Sequence, residues 1–274
     1  MSSVEVEGSV VPAEQAASLA SGHGVTVAEL MGLLVPLAAE RYVTPPISGF
    51  RVGAVARGSS GALYLGANLE LPGTALAFTV HAEQSATANA WLNGEEGLAA
   101  LAVGAAPCGH CRQFLAELTT AASVEVLVAG HEPRLLRELL PESFGPEDLG
   151  VHARLMSPRA NGLVLDSSDP LVLEALAAAN ASYAPYSRGF AGVAFETASG
   201  AVYTGRYAEN AAFNPSLAPL ACALALRTLR GGADDEVTGA VLVEAPSRMS
   251  HAGATAEALR AVSAAALEVV AAGA

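Results

Sequence analysis

A stretch of 25 residues occurs twice in this chain, and that repetition limits the fold more than any other feature. Pro46, Ser48, Gly53, Ser60, Gly61, Ala62, Tyr64, Gly66 and Glu70 reappear 139 residues later, without a gap, as Pro185, Ser187, Gly192, Ser199, Gly200, Ala201, Tyr203, Gly205 and Glu209. Nine identities in 25 positions point to one supersecondary unit built twice. In the first copy, Phe50 to Arg57 and Gly61 to Gly66 are β-rich, and Ser59-Ser60-Gly61 joins them as a hairpin. Ahead of the hairpin, Leu30, Leu33, Leu34 and Leu37 recur at helical spacing between Val27 and Tyr42, and Pro45-Pro46 stops that helix. Gln84 to Leu92 is helix material closed by Asn93-Gly94, and Ser123 to Ala129 is the next strand. This alternation predicts an α/β fold, a three-layer α/β/α sandwich with a mixed sheet, present in duplicate.

The expected organisation is a polar lead-in over 1–26, flexible or a short helix, a first copy over 27–150, a linker over 151–164 around Met156 to Asn161, and a second copy over 165–274. His23, in the lead-in, reads as a solvated loop residue.

Chemistry concentrates in two stretches of the first copy, His81-Ala82-Glu83-Gln84 and Pro107-Cys108-Gly109-His110-Cys111-Arg112. A tetrahedral zinc with bonds of about 2.3 Å to sulfur needs its thiolates roughly 3.7 Å apart, a separation that a Cys-x-x-Cys turn supplies. Cys108 and Cys111 have that spacing, and the third cysteine, Cys222, lies far off without a partner motif. A closed four-ligand site is therefore unsupported. An open one, with His81 as third ligand and water in the fourth position, is the natural reading. His110 stays as a competing ligand. In mid-helix, residues two apart point away from each other. His81 and Glu83 must therefore straddle a helix start, where the imidazole binds metal and the carboxylate reaches the water. Pro107 suits the first position of a second helix, whose positive end would favour thiolates at Cys108 and Cys111. Arg112 is placed to hydrogen-bond a thiolate, or to pair at the surface. Asn68 and Glu70 lie two apart on an extended segment, hence on one face, as a pair able to hold a vicinal diol.

A His-x-Glu at a helix start followed by Pro-Cys-x-x-Cys is the signature of zinc nucleobase deaminases. With Phe50-Arg51-Val52-Gly53-Ala54, Gly66-Ala67-Asn68-Leu69-Glu70 and Tyr207 to Pro215, the chain from about residue 25 to 274 resembles the cytidine deaminases of the long-chain, homodimeric bacterial type. In these a catalytic domain is followed by a degenerate copy. The resemblance implies a zinc-dependent hydrolase converting cytidine and deoxycytidine to their uracil counterparts and ammonia, in pyrimidine salvage. It implies one Zn2+ per subunit held by His81, Cys108 and Cys111, with Glu83 as catalytic acid and base. Asn68 and Glu70 would hold the ribose 3′-hydroxyl, Phe50 would stack on the pyrimidine, and Leu69 and Ala82 would complete the substrate site. Ala211, Ala212 and Phe213 would form a wall of the partner subunit's pocket. Carrying the 139-residue shift onward puts Leu220 and Cys222 opposite His81 and Glu83, so the second copy keeps the scaffold without the metal.

Composition narrows the alternatives. Fourteen arginines and no lysine exclude a Schiff-base lysine. A net charge of -13 argues against a nucleic-acid partner and hence against a nucleic-acid editor. No apolar run reaches about 18 residues, and the N-terminal sequence lacks the pattern of a secretory signal, so no membrane partner and a cytoplasmic location are expected. Three readings stay open beside the main one. They are a deaminase of another base or of a nucleotide, for which Arg51 and Arg57 are the nearby cations, a non-enzymatic zinc staple, and a redox dithiol.

Overall fold

A computed structural model describes residues 4–43 and 45–273. The first copy runs β1 (Val10–Val11), α1 (Ala13–His23), α2 (Val27–Tyr42), β2 (Gly53–Gly58), β3 (Leu63–Ala67), α3 (Ala82–Leu92), β4 (Leu98–Val103), α4 (Gly109–Leu115), β5 (Glu125–Val128), β6 (Arg134–Leu135) and α5 (Leu136–Leu139). The second runs α6 (Pro170–Asn180), β7 (Ala191–Thr197), β8 (Val202–Arg206), α7 (Pro219–Leu229), β9 (Val237–Glu244), α8 (Ala252–Arg260) and β10 (Leu267–Ala271). The first sheet has the order β1-β3-β2-β4-β5-β6 and the second β10-β9-β7-β8.

The central four strands of the two sheets are one motif. β2 is antiparallel to β3 and β4 while β4 and β5 are parallel, and β7, β8, β9 and β10 repeat this pattern. The register breaks between Arg57 and Gly58 in one copy and between Glu196 and Thr197 in the other, 139 residues on. Duplication thus extends to an irregularity in the ladder.

Period-2 alternation explains the layers, because successive strand residues face opposite sides of the sheet. Val55, Leu63, Leu65, Ala100 and Ala102 pack with α1 and α2, whereas Ala54, Ala56, Tyr64, Leu101 and Val103 pack with α3 and α4. Both faces are covered, so the strands read as nearly continuous apolar runs. The α3 layer extends to Cys222, Ala221 and Ala225 of α7, which places the two copies against each other through these helices.

The lead-in is more ordered than its polar composition suggests. Val10 and Val11 pair with Tyr64 and Leu63 on the edge of β3, and Val4, Val6, Ala16 and Ala20 are buried in the α2 layer. Small apolar residues at alternate and helical positions supply that burial, and a reading of overall polarity overlooks them. His23 is exposed, as expected. Residues 151–164 run over the junction without regular elements, and Leu155 bridges to Leu118 while Val164 bridges to Gly273. Among the described residues no single helix is long and apolar enough to cross a membrane.

Two glycines on neighbouring strands set the layer spacing. A Cβ on Gly53 would lie 2.2 Å from the Val35 carbonyl oxygen of α2, and one on Gly66 would lie 2.2 Å from the Ala86 nitrogen of α3. Gly192 and Gly205 repeat both contacts, against Ala179 of α6 and against Pro219 and Ala223 of α7. Gly66→Ala must push the backbone of α3 outward. It is expected to cost about 3 kcal/mol, the upper part of the range for overpacking. A denaturant melt checks this, and an unchanged midpoint would show that α3 tolerates the shift.

The same contacts give the true correspondence of the helices. Gly66 meets Ala82 and Ala86, and Gly205 meets Pro219 and Ala223, because the connection from β8 to α7 is two residues shorter than that from β3 to α3. The residue at the place of His81 is therefore Ala218, the N-cap of α7, and that at the place of Glu83 is Leu220. Cys222 sits two positions further along. The conclusion that the second copy lacks an imidazole and a carboxylate there stands, but the residues named for it change.

Candidate metal centre

His81 is the N-cap of α3, in extended conformation, so Ala82 and Glu83 open the helix as the sequence requires. The Gln84 Oε1 accepts the His81 backbone N–H at 3.3 Å and fixes the entry of the chain into the helix. Cys108 is likewise the N-cap of α4, with Cys111 in its first turn. Pro107 therefore lies just outside the helix, one place before the cap, and α4 closes at Leu115 instead of continuing through Leu118.

These two helix starts converge. The His81 Nδ1 lies 3.5 Å from the Cys108 Sγ and 3.3 Å from the Cys111 Sγ, and the two sulfurs are 3.7 Å apart. A tetrahedral zinc with bonds of about 2.3 Å to sulfur and about 2.0 Å to nitrogen requires roughly 3.8 Å between sulfurs and roughly 3.5 Å from sulfur to nitrogen. The triangle fits that ion without movement of any ligand, and all three atoms lie within 4.8 Å of one another. His110 is beside the cluster, its ring 5.5 Å from that of His81, and it is not a member of it.

Electrostatics point the same way. Burial pushes the Cys111 thiol up, and the charges of Glu83 and Cys108 push it further. A cation among the ligands is what the thiolate form of Cys111 needs. Arg112 does not provide it. Its Nε donates to the Pro107 carbonyl at 2.7 Å and a terminal nitrogen to the Leu139 carbonyl at 2.8 Å. This guanidinium holds the backbone ahead of Cys108 in place and leaves the sulfurs alone.

One cavity of about 270 Å³ adjoins the cluster, lined by His81, Ala82, Glu83 and Cys108 together with Phe50, Asn68 and Glu70. Glu83 is 4% exposed, so its carboxylate faces the cavity and not bulk water. Phe50 is 61% exposed and stands at the rim. Ser48, Val52 and Thr79 also line the cavity and were not singled out in the sequence, although Ser48 is among the nine repeated positions. Leu69 is not in the lining. Its backbone pairs with Val80, and its side chain packs into the core.

The pair Asn68 and Glu70 faces the cavity but already has partners. The Asn68 Oδ1 accepts the Val52 N–H at 2.9 Å, and its Nδ2 donates to the Phe50 carbonyl at 3.0 Å. Glu70 accepts the Ile47 and Ser48 N–H groups at 2.8 and 3.0 Å and the Ser48 hydroxyl at 2.5 Å. Burial raises its carboxyl, and the hydrogen bonds from Ser48 and Ile47 outweigh that and hold it below the usual range. Glu209 clamps the Tyr186 and Ser187 amides in the same way, so this carboxylate is repeated because it fixes the turn before the hairpin.

In the second copy other residues stand at the corresponding positions. Gly189 and Tyr207 replace Phe50 and Asn68 in the repeat, and His251 packs against the Tyr207 ring at 4.3 Å with its Nε2 3.2 Å from the Gly189 carbonyl oxygen. Ala211, Ala212 and Phe213 do not line the cavity of their own chain. Ala211 is buried within the chain, whereas Ala212 and Phe213 are exposed.

Comparison with known proteins agrees with this geometry. Residues 26–127 and residues 136–256 each match the family described as cytidine and deoxycytidylate deaminase zinc-binding region. The cytidine deaminase of Shewanella sp. strain MR-4 is 48% identical over 94% of this chain and 87% of its own length. That of Vibrio cholerae serotype O1 is 49% identical over 87% of this chain and 81% of its own. A crystal structure of cytidine deaminase from Mycobacterium tuberculosis aligns with 43% of this chain and 96% of its own at 32% identity, with a TM-score of 0.38. By both halves of its sequence, the chain belongs to the cytidine and deoxycytidylate deaminase family.

Proposed function

We propose that this protein hydrolyses the exocyclic amine of cytidine and deoxycytidine, giving the uracil nucleosides and ammonia, with His81, Cys108 and Cys111 holding one zinc ion per subunit. The observation that carries the reading is the convergence of those three ligand atoms with the Glu83 carboxylate on one wall of a nucleoside-sized cavity. When bound, zinc supplies Lewis acidity that brings the pKa of a water down towards 7.

Glu83 carries the protons. It accepts one proton of the attacking water and delivers it to the ring N3, then takes the second proton from the hydroxyl now on C4 and gives it to the amine as the C4–N bond breaks, which leaves the uracil carbonyl and ammonia. Phe50 at the rim offers a face for the pyrimidine. Asn68 and Glu70 have lone pairs and N–H directions left over after their own-chain bonds, and these point to a sugar hydroxyl. Ala82 follows the ligand His81, and its peptide contacts the base edge. We place Leu69 behind this site and not in it.

The same reading divides the chain at 151–164 and makes the functional unit a homodimer, in which Ala212 and Phe213 face the partner's pocket. Phe213 is 62% exposed and held at a φ of 60°, an unfavourable backbone for a side chain of this size that a covering partner would explain. Free thiols at the ligand positions suit a reducing cytoplasm, where pyrimidine salvage operates.

Loss of absorbance on addition of cytidine, deoxycytidine and CMP to the zinc protein tests the substrate. The two nucleosides are expected to react at least about a hundredfold more efficiently than CMP, because the cavity lining contains no arginine or lysine to meet a phosphate. Equal or faster turnover of CMP would favour the nucleotide alternative.

A further inference from the structure

A metal-free copy that has kept its fold needs a physical role, and its contacts with the metal-binding helices supply one. Glu117 follows α4 by two residues and is 0% exposed. All its side-chain partners come from the second copy. The Tyr183 hydroxyl donates to its Oε1 at 2.5 Å, the Tyr186 hydroxyl donates to the same oxygen, and the Ala211 N–H donates to its Oε2 at 3.0 Å. Burial, and then the Glu117 carboxylate itself, push the Tyr183 phenol up, so this donor keeps its proton.

Two more buried or half-buried side chains run in parallel. Gln113 of α4 exchanges a pair of hydrogen bonds with the Asn210 side chain, donating from Nε2 to its Oδ1 at 3.3 Å and accepting from its Nδ2 at the Gln113 backbone carbonyl at 2.9 Å. Gln84, which holds the His81 amide, donates from its other end to the Pro215 carbonyl at 3.2 Å. Both helix starts that carry metal ligands are thus tied to one segment, 210–215, of the other copy.

We infer that the second copy is a brace for the metal centre, and that Glu117 is the positioning residue through which it sets the Cys108–Cys111 turn against His81. The inference rests on the reading of those three residues as the ligands of a zinc ion. A buried carboxylate is tolerated only where donors satisfy it, so α4 has one low-energy position relative to Tyr183, Tyr186 and Ala211. Glu117 lies six positions after Cys111. The intervening helical turn is stiff, so a shift at one end moves the sulfur at the other.

Glu117→Gln tests this in the full-length zinc protein. The amide keeps an acceptor for the two phenols but turns a donor towards the Ala211 N–H. Glu95→Gln serves as the control. Glu95 is also buried, and it accepts the Ser60 N–H and the Tyr64 hydroxyl of the first hairpin, with no hydrogen bond among the described residues to α4 or to the 210–215 segment. Zinc affinity is measured by competition with a chromophoric chelator, together with kcat, KM and the thermal midpoint. Groups that orient metal ligands contribute about 10–100-fold to affinity or activity, and a residue acting through a helical turn belongs at the lower end. Glu117→Gln is expected to bind zinc about tenfold more weakly and to lose about tenfold in kcat with KM changed less than about twofold. Glu95→Gln should lower the midpoint alone. Equal losses of zinc affinity in both variants, or unchanged affinity in Glu117→Gln, overturn the inference. Should Glu117→Gln not fold, Gln84→Met removes the tie to Pro215 and is read in the same way. Absence of zinc from the wild-type protein would instead remove the ligand assignment on which the brace depends.

Discussion

Glu83→Gln is expected to lower kcat for cytidine about a thousandfold while the protein still binds one zinc ion. The glutamine has nearly the same shape and remains in the same buried position at the first turn of α3, 4% exposed. It cannot accept a proton from water or pass one to N3 and the leaving amine. A positioned acid–base group contributes about 10²–10⁴-fold, and here one group serves every transfer. A thousandfold corresponds to about 4 kcal/mol of barrier. Steady-state kinetics beside metal analysis on the same preparation separate the two roles of the site. Retained zinc with lost turnover means that Glu83 acts on protons. Loss of both would mean that it holds the metal or the fold, and full retention of turnover would remove it from the chemistry.

Cys111→Ser is the second large effect, of the opposite kind. Complete four-ligand zinc sites bind with about 10–16 kcal/mol, so one thiolate accounts for roughly 3–4 kcal/mol, or a loss of about a thousandfold in affinity. The Cys111 sulfur is buried, and its replacement leaves a shorter, harder and less acidic oxygen in an apolar pocket. Zinc content after dialysis against a chelator is expected to fall to the background, and activity with it. Cys222→Ser, at a buried thiol far from the cluster in the sequence, should keep both. Retention of zinc in Cys111→Ser would mean that His110 or Glu83 can take the corner that Cys111 vacates. The 5.5 Å between the His81 and His110 rings disfavours the first of these.

Much of this was legible in the sequence because it depends on short spacings. The helix over Val27 to Tyr42, the hairpin, and the start of α3 at His81 follow from local patterns. The 139-residue repeat pointed to a second copy of the hairpin, and the structure extends the likeness to a register break before Gly58 and Thr197 that no identity marks. The metal triangle was legible too, since two ligands sit on one turn and the third at a helix start.

What failed to show depends on distant contacts. The two-residue offset of α7 is set by where Gly205 meets Pro219 and Ala223, and no identity in the alignment marks it. Arg112 reads from its adjacency to Cys111 as a partner for a thiolate or for a surface carboxylate, whereas α4 turns it towards the carbonyls of Pro107 and Leu139. Nothing in Ala116-Glu117-Leu118 singles out Glu117. Only the arrival of Tyr183, Tyr186 and Ala211 from the other copy makes it a buried carboxylate.

Zinc-edge X-ray absorption on the purified wild-type protein bears most directly on the proposed centre. The expected spectrum has two sulfurs at about 2.3 Å and nitrogen or oxygen at about 2.0 Å completing four-coordination, and it is the same in Glu83→Gln. A shell of four sulfurs, a shell without sulfur, or a protein devoid of zinc would contradict the open site made by His81, Cys108 and Cys111.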